Sequence, residues 1–552
     1  MNTSAIEKLT VGEAVGRALA ERGVAHVFGV VGSGNFMVTH GLVAGGVGYT
    51  AARHEMGAAC MADAYTRISG KLAAVSLHQG CGLSNAMTGI GEAAKSNTPL
   101  LVVTGDTAVG QREGNFVIDQ DALVAAVGAV PRRIHSAQDA VSEAVAAYDL
   151  AVRDRTTVVL SLPVDIQEQE WVPQPQPPLP PRVVKAGASA VGVAELARIL
   201  EAAERPVIVG GRGARHAAAE LRALGAQTGA ILVPSAGARG LFADEEWALD
   251  VMGGFATPGA QEFIADADVL VAFGAALNPW TAHHGTLTAQ PVIVQVDDRV
   301  EAFGKHRDVT VGIVGDTAEV AHAVTAHLRS RGAAREGLRT PATAERLGRI
   351  RYWRDNLPDE PESPGLVGAA VLTGALDAML PMDRVVVPDG GNVNMYAGAF
   401  LRVPDERGFV MPLSFQSIGL GLAEGIGAAI ARPDRTVVVG TGDGSILMGA
   451  VELDTAVREG LGMVIVVYND EAYGAEVHLF ADQPDKHGIV KFPETDIARI
   501  ARGYGCEGIT VRSLDDLEPL RAWLAGPRTV PIVIDAKVPG IASPLMADNT
   551  GH

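Results

Sequence analysis

The sequence predicts an α/β protein built of three doubly wound parallel-sheet domains. Three observations lead there. Short β-branched runs alternate with Ala-rich amphipathic stretches along the whole chain, the rhythm of a doubly wound sheet. The runs are continuously apolar, without polar alternation, as strands buried on both faces are. At 552 residues the chain exceeds one core and suits about three domains of ~150–200 residues.

Taken in order, the runs are AAVSLH (73–78), LLVVTG (100–105), TTVVLSLP (156–163), PVIVGG (206–211), DVLVAFG (268–274), PVIVQVD (291–297), RVVVPDGG (384–391), TVVVGTGDG (436–444) and MVIVVYND (463–470). Two segments break the rhythm. Residues 171–182 (WVPQPQPPLPPR) hold six prolines in twelve positions, which favours an extended, semi-rigid linker. Residues 331–364 are polar and charged, ending in DNLPDEPESPG, and read as a second connector with some helix. The expected organisation is an N-terminal domain 1–170, a linker 171–189, a central domain 190–330, a connector 331–364 and a C-terminal domain 365–545.

The apolar fraction of 47% and charged fraction of 20% are those of an ordinary globular protein. A net charge of −19 argues against nucleic acid and anionic membrane as partners, since both demand a basic face. Cys60, Cys81 and Cys506 are widely spaced, form no ligand cluster and fit a reducing compartment. The start, MNTSAIEKLTVGEAVG, lacks the apolar core of a signal peptide. No run approaches the ~18–20 apolar residues of a membrane span. The expectation is a soluble, cytoplasmic enzyme.

The most specific chemistry lies in the third domain. The run TVVVGT ends in Gly442-Asp443-Gly444-Ser445, followed by the helix-like ILMGAVELDTAVREG. Ligands of a doubly wound sheet bind where strand carboxyl ends meet helix amino ends. Glycines there let backbone N–H groups approach an anion. An aspartate would repel a phosphate unless a cation such as Mg²⁺ stood between them. Asp-Gly alone is an ordinary turn pair. A second polar cluster changes the weight: the run MVIVVY ends in Asn469-Asp470-Glu471-Ala472-Tyr473-Gly474, with Asp470 27 residues after Asp443.

This order resembles the thiamine-diphosphate signature shared by acetolactate synthases and 2-oxo-acid decarboxylases. The resemblance implies Mg²⁺ held by Asp443, Asp470 and the Ala472 carbonyl. The family usually has asparagine at the second position; choosing Asn469 would break the spacing and displace Tyr-Gly. Gly444, Ser445, Tyr473 and Gly474 are implied as cofactor-binding, together with Asn85, Gly391, Asn392 and Gln416. Ile418 stands 25 residues before Asp443, where the family keeps a bulky apolar residue that bends the cofactor.

In the first domain, Arg53-His54-Glu55 precedes MGAACMADAYTR. This is similar to the family's RHE-x-GAA-x-MA-x-x-YAR stretch and implies that Glu55 activates the cofactor. On its own, a glutamate at a helix start is more often a simple dipole partner. The resemblance covers nearly the whole chain, including RPVIVGGRG (205–213), DADVLVAFGAALN (266–278), VQVDDRVEAFGKHRDVTVGIVGD (294–316) and VVLSLPVDIQ (158–167). It names the three domains pyrimidine-binding, central and diphosphate-binding. It also implies a homodimer or homotetramer with Glu55 and the diphosphate site contributed by different subunits.

Members of the family differ in what the enamine left by CO₂ release meets next. A proton yields an aldehyde; a second carbonyl compound yields a new C–C bond. SLHQGCGLSNAMTGI (76–90) places His78 23 residues after Glu55, the spacing of benzoylformate decarboxylase, whose site pattern is the nearest. VFGVVGSG (27–34) likewise resembles that enzyme's substrate-binding segment and implies Ser33 as a carboxylate-holding residue. His284, of the pair His283-His284, aligns with its second catalytic histidine. Glu476 lies where pyruvate-type decarboxylases keep a catalytic glutamate. Leu479 stands near the substrate-selecting tryptophan of biosynthetic acetolactate synthases, whose FQE-x-D stretch appears here only as NFVID (115–119). The expected function is therefore non-oxidative decarboxylation of a 2-oxo acid, with carboligation as an alternative. An idle regulatory subunit is a remote third reading. FAD is possible but not favoured, since GGRGAR (210–215) reads equally as a strand–helix turn.

Overall fold

The computed structural model describes residues 8–549 except 176, 177, 179, 180, 182 and 183. The chain start and those six linker positions lie outside the described residues. Sixteen strands form three all-parallel sheets. The first comprises β1 (His26–Gly29), β2 (Gly48–Ala51), β3 (Ala73–Leu77), β4 (Leu100–Asp106), β5 (Val130–Arg133) and β6 (Thr157–Pro163), in the order 2-1-3-4-6-5. The second comprises β7 (Pro206–Gly210), β8 (Ile231–Pro234), β9 (Val269–Phe273), β10 (Val292–Asp297) and β11 (Val311–Val314), in the order 11-10-9-7-8. The third comprises β12 (Arg384–Pro388), β13 (Thr436–Gly442), β14 (Val464–Asn469), β15 (Glu507–Val511) and β16 (Ile532–Lys537), in the order 12-13-14-16-15. The expected α/β class with three parallel sheets is what the chain adopts. Every residue of β3, β4, β6, β7, β9, β12, β14 and β16 is buried, which is why these strands read as continuous apolar runs.

The first and third domains share one core. The helix Glu55–Ser69 lies against the helix Gly421–Ala431, and a single apolar cluster joins Phe28, Met61 and Ile90 to Leu420, Val439 and Ile465. Small residues let the two backbones meet: a Cβ on Gly427 would stand 2.0 Å from the Met61 carbonyl oxygen. The central sheet keeps separate cores. It is tied to the third domain by the fully buried Arg239, which bonds Asp250 and donates to the Gly398 and Ala399 carbonyls. Trp353, after the helix Pro341–Ile350, stacks on Phe400 at 5.0 Å and donates to the Phe255 carbonyl. Among the described residues no helix is long and apolar enough to cross a membrane.

Candidate active site

The carboxyl ends of β1, β2 and β3 bring four of the expected residues together. Ser33 follows β1, Glu55 opens the helix after β2, and His78 leaves β3 just before Asn85. The Asn85 side chain donates to Glu55 Oε2 at 3.1 Å. Ser33 Oγ lies 3.5 Å from His78 Nε2, and His78 Nδ1 lies 2.9 Å from the Gln79 carbonyl. A carbonyl at Nδ1 fixes the neutral ring with its proton on Nδ1, leaving the Nε2 lone pair towards Ser33. The Phe116 ring meets the imidazole edge-on at 4.8 Å. Gly82 keeps the floor open, since a Cβ there would stand 3.1 Å from His78 Cβ and 3.6 Å from Glu55 Oε1.

The start of the Glu55 helix is held from the third domain. The buried Glu452 accepts the Arg53 and His54 amides at 3.1 and 2.9 Å and the Thr455 hydroxyl at 2.6 Å. A Cβ on Gly57 would stand 2.3 Å from the same carboxylate, so glycine there is a packing requirement. Glu452 went unnoticed in the sequence; its position in ELDTA carries no sign of a partner 399 residues away.

The second group sits where β12, β13 and β14 end side by side. Asp443 closes β13 and Asp470 follows β14; both are largely buried. Burial pushes the Asp443 carboxyl up to about 6. Burial, then the Asp443 charge, pushes Asp470 up to about 7. Asp443 Oδ1 is buried without a hydrogen-bond partner. Two desolvated carboxylates with an orphaned oxygen, beside the nearly buried Ala472, form an oxygen donor set suited to a hard cation such as Mg²⁺. Gly474 is needed because a Cβ would stand 2.5 Å from Asp470 Oδ2. At Gly444 a Cβ would meet the Tyr473 ring at 2.5 Å, so Tyr473 covers the glycine after Asp443. Ser445 is buried in the first turn of the helix Asp443–Gly449.

Asp389, another residue the sequence reading passed over, organises the rim. Fully buried, it accepts the Gly390 and Gly419 amides at 2.8 and 3.0 Å and the Thr441 hydroxyl at 3.1 Å. This fixes the turn through Gly391, at φ +95°, and the loop carrying Ile418. Ile418 Cγ2 lies 3.0 Å from a Cβ built on Gly390. Gln416 is exposed at φ +59°, a conformation that a non-glycine residue adopts only under constraint. Asn392 is buried and spoken for: it donates to the Ile541 carbonyl and accepts the Ser543 amide, anchoring the C-terminal segment.

Two expected residues stand apart. Glu476 is exposed in the first turn of the helix Gly474–Leu479. His284 lies in a central-domain loop with φ +52°, its ring edge-on to Trp280 at 5.3 Å. Among the described residues no hydrogen bond links the Glu55 group to the Asp443 group.

Three family models cover most of the chain: the N-terminal TPP-binding domain of thiamine pyrophosphate enzymes matches residues 9–127, their central domain 193–324 and their C-terminal TPP-binding domain 389–536. With that fold and these strand-end sites, the chain belongs to the thiamine pyrophosphate enzyme family. It is 29% identical to a sulfoacetaldehyde acetyltransferase of Alcaligenes xylosoxydans xylosoxydans, over 93% of this chain and 90% of that protein. It is 28% identical to a probable 2-ketoarginine decarboxylase of Pseudomonas aeruginosa, over 92% and 91% respectively. To an acetolactate synthase large subunit of Parasynechococcus marenigrum it is 27% identical, over 98% and 89%.

Proposed function

We propose that this enzyme uses thiamine diphosphate and Mg²⁺ to decarboxylate a 2-oxo acid non-oxidatively and release an aldehyde. The observation that carries the reading is His78, held by the Gln79 carbonyl with Nε2 towards Ser33, in the cluster that contains Glu55 and Asn85. When bound, the cofactor supplies the nucleophilic carbon that adds to the 2-oxo group and accepts the electron pair left by CO₂. Asp443, Asp470 and the Ala472 carbonyl hold the cation, with Gly444, Ser445 and Gly474 against the diphosphate. Glu55 holds a proton against the cofactor's aminopyrimidine, and Asn85 orients that carboxyl. Ser33 binds the substrate carboxylate. His78 then delivers a proton from Nε2 to the carbon that lost CO₂, the step that commits the reaction to aldehyde. Glu476 and His284 serve as secondary proton relays, from loops able to approach the substrate.

The same reading makes the enzyme a homodimer or homotetramer with sites between subunits. The separation of the two groups supports this, as do Leu447, Met448 and Val451, apolar residues 42–50% exposed just beyond Asp443. A cytoplasmic location is supported by Cys60, Cys81 and Cys506 all being free. FAD has no part in the proposed reaction.

A second reading, transfer of the acyl fragment to another carbonyl compound or acceptor, is favoured by the acetyltransferase and acetolactate synthase relatives. The two separate on products. The purified protein, given thiamine diphosphate, Mg²⁺ and a panel of 2-oxo acids, is expected to release CO₂ and aldehyde. Acetolactate, acetoin or another 2-hydroxy ketone as dominant product would replace the decarboxylase with a carboligase.

A further inference from the structure

Away from the site, three carboxylates meet in the shared core of the first and third domains. Asp63 lies on the Glu55–Ser69 helix, Glu92 on the helix Met87–Lys95 and Glu424 on the helix Gly421–Ala431. All three are completely buried, and each offers an oxygen within 4.8 Å of the others. Their surroundings differ sharply. Asp63 accepts the Thr98 hydroxyl at 2.5 Å and pairs with Arg67 at 3.0 Å. Glu92 accepts the Ser96 hydroxyl and the Ser414 and Phe415 amides, at 3.0, 3.1 and 2.7 Å, with Arg67 at 3.7 Å. Glu424 has no donor at all: both its oxygens are buried without a hydrogen-bond partner.

One guanidinium therefore faces three acids, and the two acids it serves are already supplied with donors. An ionised Glu424 would be a bare charge in an apolar core, which is prohibitive. As an unionised acid it becomes the one donor the cluster lacks, with the free lone pairs of Asp63 as its acceptor. We propose that Glu424 keeps its proton at neutral pH and shares it with Asp63, so that this proton clamps the Glu55 helix to the helix following the Gln416–Ile418 loop. Glu424 is then a positioning residue. Glu92 extends the same clamp, because the amides it accepts belong to the segment entering Gln416.

The neighbouring charges agree. Burial first, then Asp63, raises the Glu424 carboxyl well above its ordinary range, with Arg67 opposing and Glu92 adding to the rise. Cys60 from the same helix is buried, and its thiol is also pushed up. The other charged groups on elements packed against the Gly421–Ala431 helix are engaged elsewhere. Arg384 pairs with Asp377, Glu452 holds Arg53 and His54, Asp454 bonds Arg53 and Arg458, and Asp443 belongs to the cation site.

The sign follows from linkage. A carboxyl raised in the folded state retains a proton that the unfolded chain releases, so stability falls as pH rises above the unfolded glutamate's pKa of about 4.3. One retained proton shifts the unfolding equilibrium about tenfold per pH unit. The cofactor-free full-length enzyme should lose stability between pH 6 and 7 more steeply than Glu424→Gln, by that tenfold factor. Infrared spectra of the parent at pH 7 should also show an unionised-carboxyl band that Glu424→Gln lacks; if the variant fails to fold, acid titration of this band in the parent gives the answer. Equal pH slopes, or a parent without the band, would overturn the proposal. So would Mg²⁺ or Ca²⁺ stabilising the parent more than the variant, which would make the cluster a cation site. The consequence for cofactor retention rests on the cofactor reading above: its dissociation constant should rise with pH in the parent and stay flat in Glu424→Gln. The stability and infrared readouts do not depend on that reading.

Discussion

At the ends of β13 and β14, Asp443 and Asp470 are desolvated, raised to about 6 and 7, and short of partners. At the ends of β1 to β3, by contrast, Glu55 and His78 are half-buried, Ser33 and Asn85 are exposed, and all four are bonded into a small network. The first group carries electrostatic strain that a cation relieves. The second carries hydrogen-bonding order and open surface, and relieves nothing by itself. Binding strength therefore belongs to the third-domain group and proton handling to the first-domain group. The helix pair linking the two domains keeps each group in register with its sheet.

Substitutions sharpen that division. Glu55→Gln should lower turnover by about 10²–10⁴-fold, the range for a positioned proton-transfer group, while calorimetry finds thiamine diphosphate and Mg²⁺ affinity nearly intact. A comparable loss of cofactor affinity would break the division. His78→Ala should lower aldehyde formation by about 10²-fold, with C–C-bonded products taking a larger share by mass analysis. Unchanged aldehyde output would remove His78 as the proton donor.

The third-domain group should answer to pH instead. Cation loading is complete when both carboxyls are ionised and is lost as pH falls through 7 towards 6, where Asp470 and then Asp443 take protons. Isothermal titration with Mg²⁺ and cofactor across pH 5.5–8 checks this, and a flat profile would contradict it. A smaller effect tests the link itself. Gly427→Ala drives a methyl into the Met61 carbonyl and should cost about 1–3 kcal/mol of stability, read as a lowered denaturant midpoint.

The α/β rhythm was legible because strands buried on both faces cannot hide their composition. The nine runs quoted all became strands of the expected kind, whereas β2 (GYTA), β11 (VGIV) and β15 (EGITV) were not among them. Each is short, carries glycine and is only partly buried, so its pattern is too weak to register. Asp443 and Asp470 stood out because acids beside glycines at strand ends have few ordinary uses. Asp389, Glu452, Glu92 and Glu424 did not, for a physical reason. Their roles are tertiary: Glu452 is defined by amides of the first domain and Glu424 by the absence of any donor. Neither condition leaves a mark on local sequence.

The account's central claim is that Glu55 and Asp443 serve one active site from two subunits. Differently tagged Glu55→Gln and Asp443→Asn chains, co-expressed and purified through both tags, test it directly. Each variant alone should be inactive, and the mixed oligomer should recover CO₂ release, because one of its sites pairs an intact Glu55 with an intact Asp443. A mixed oligomer as inactive as its parents, beside a fully active doubly tagged wild type, would place both groups in the same chain's site and contradict the account.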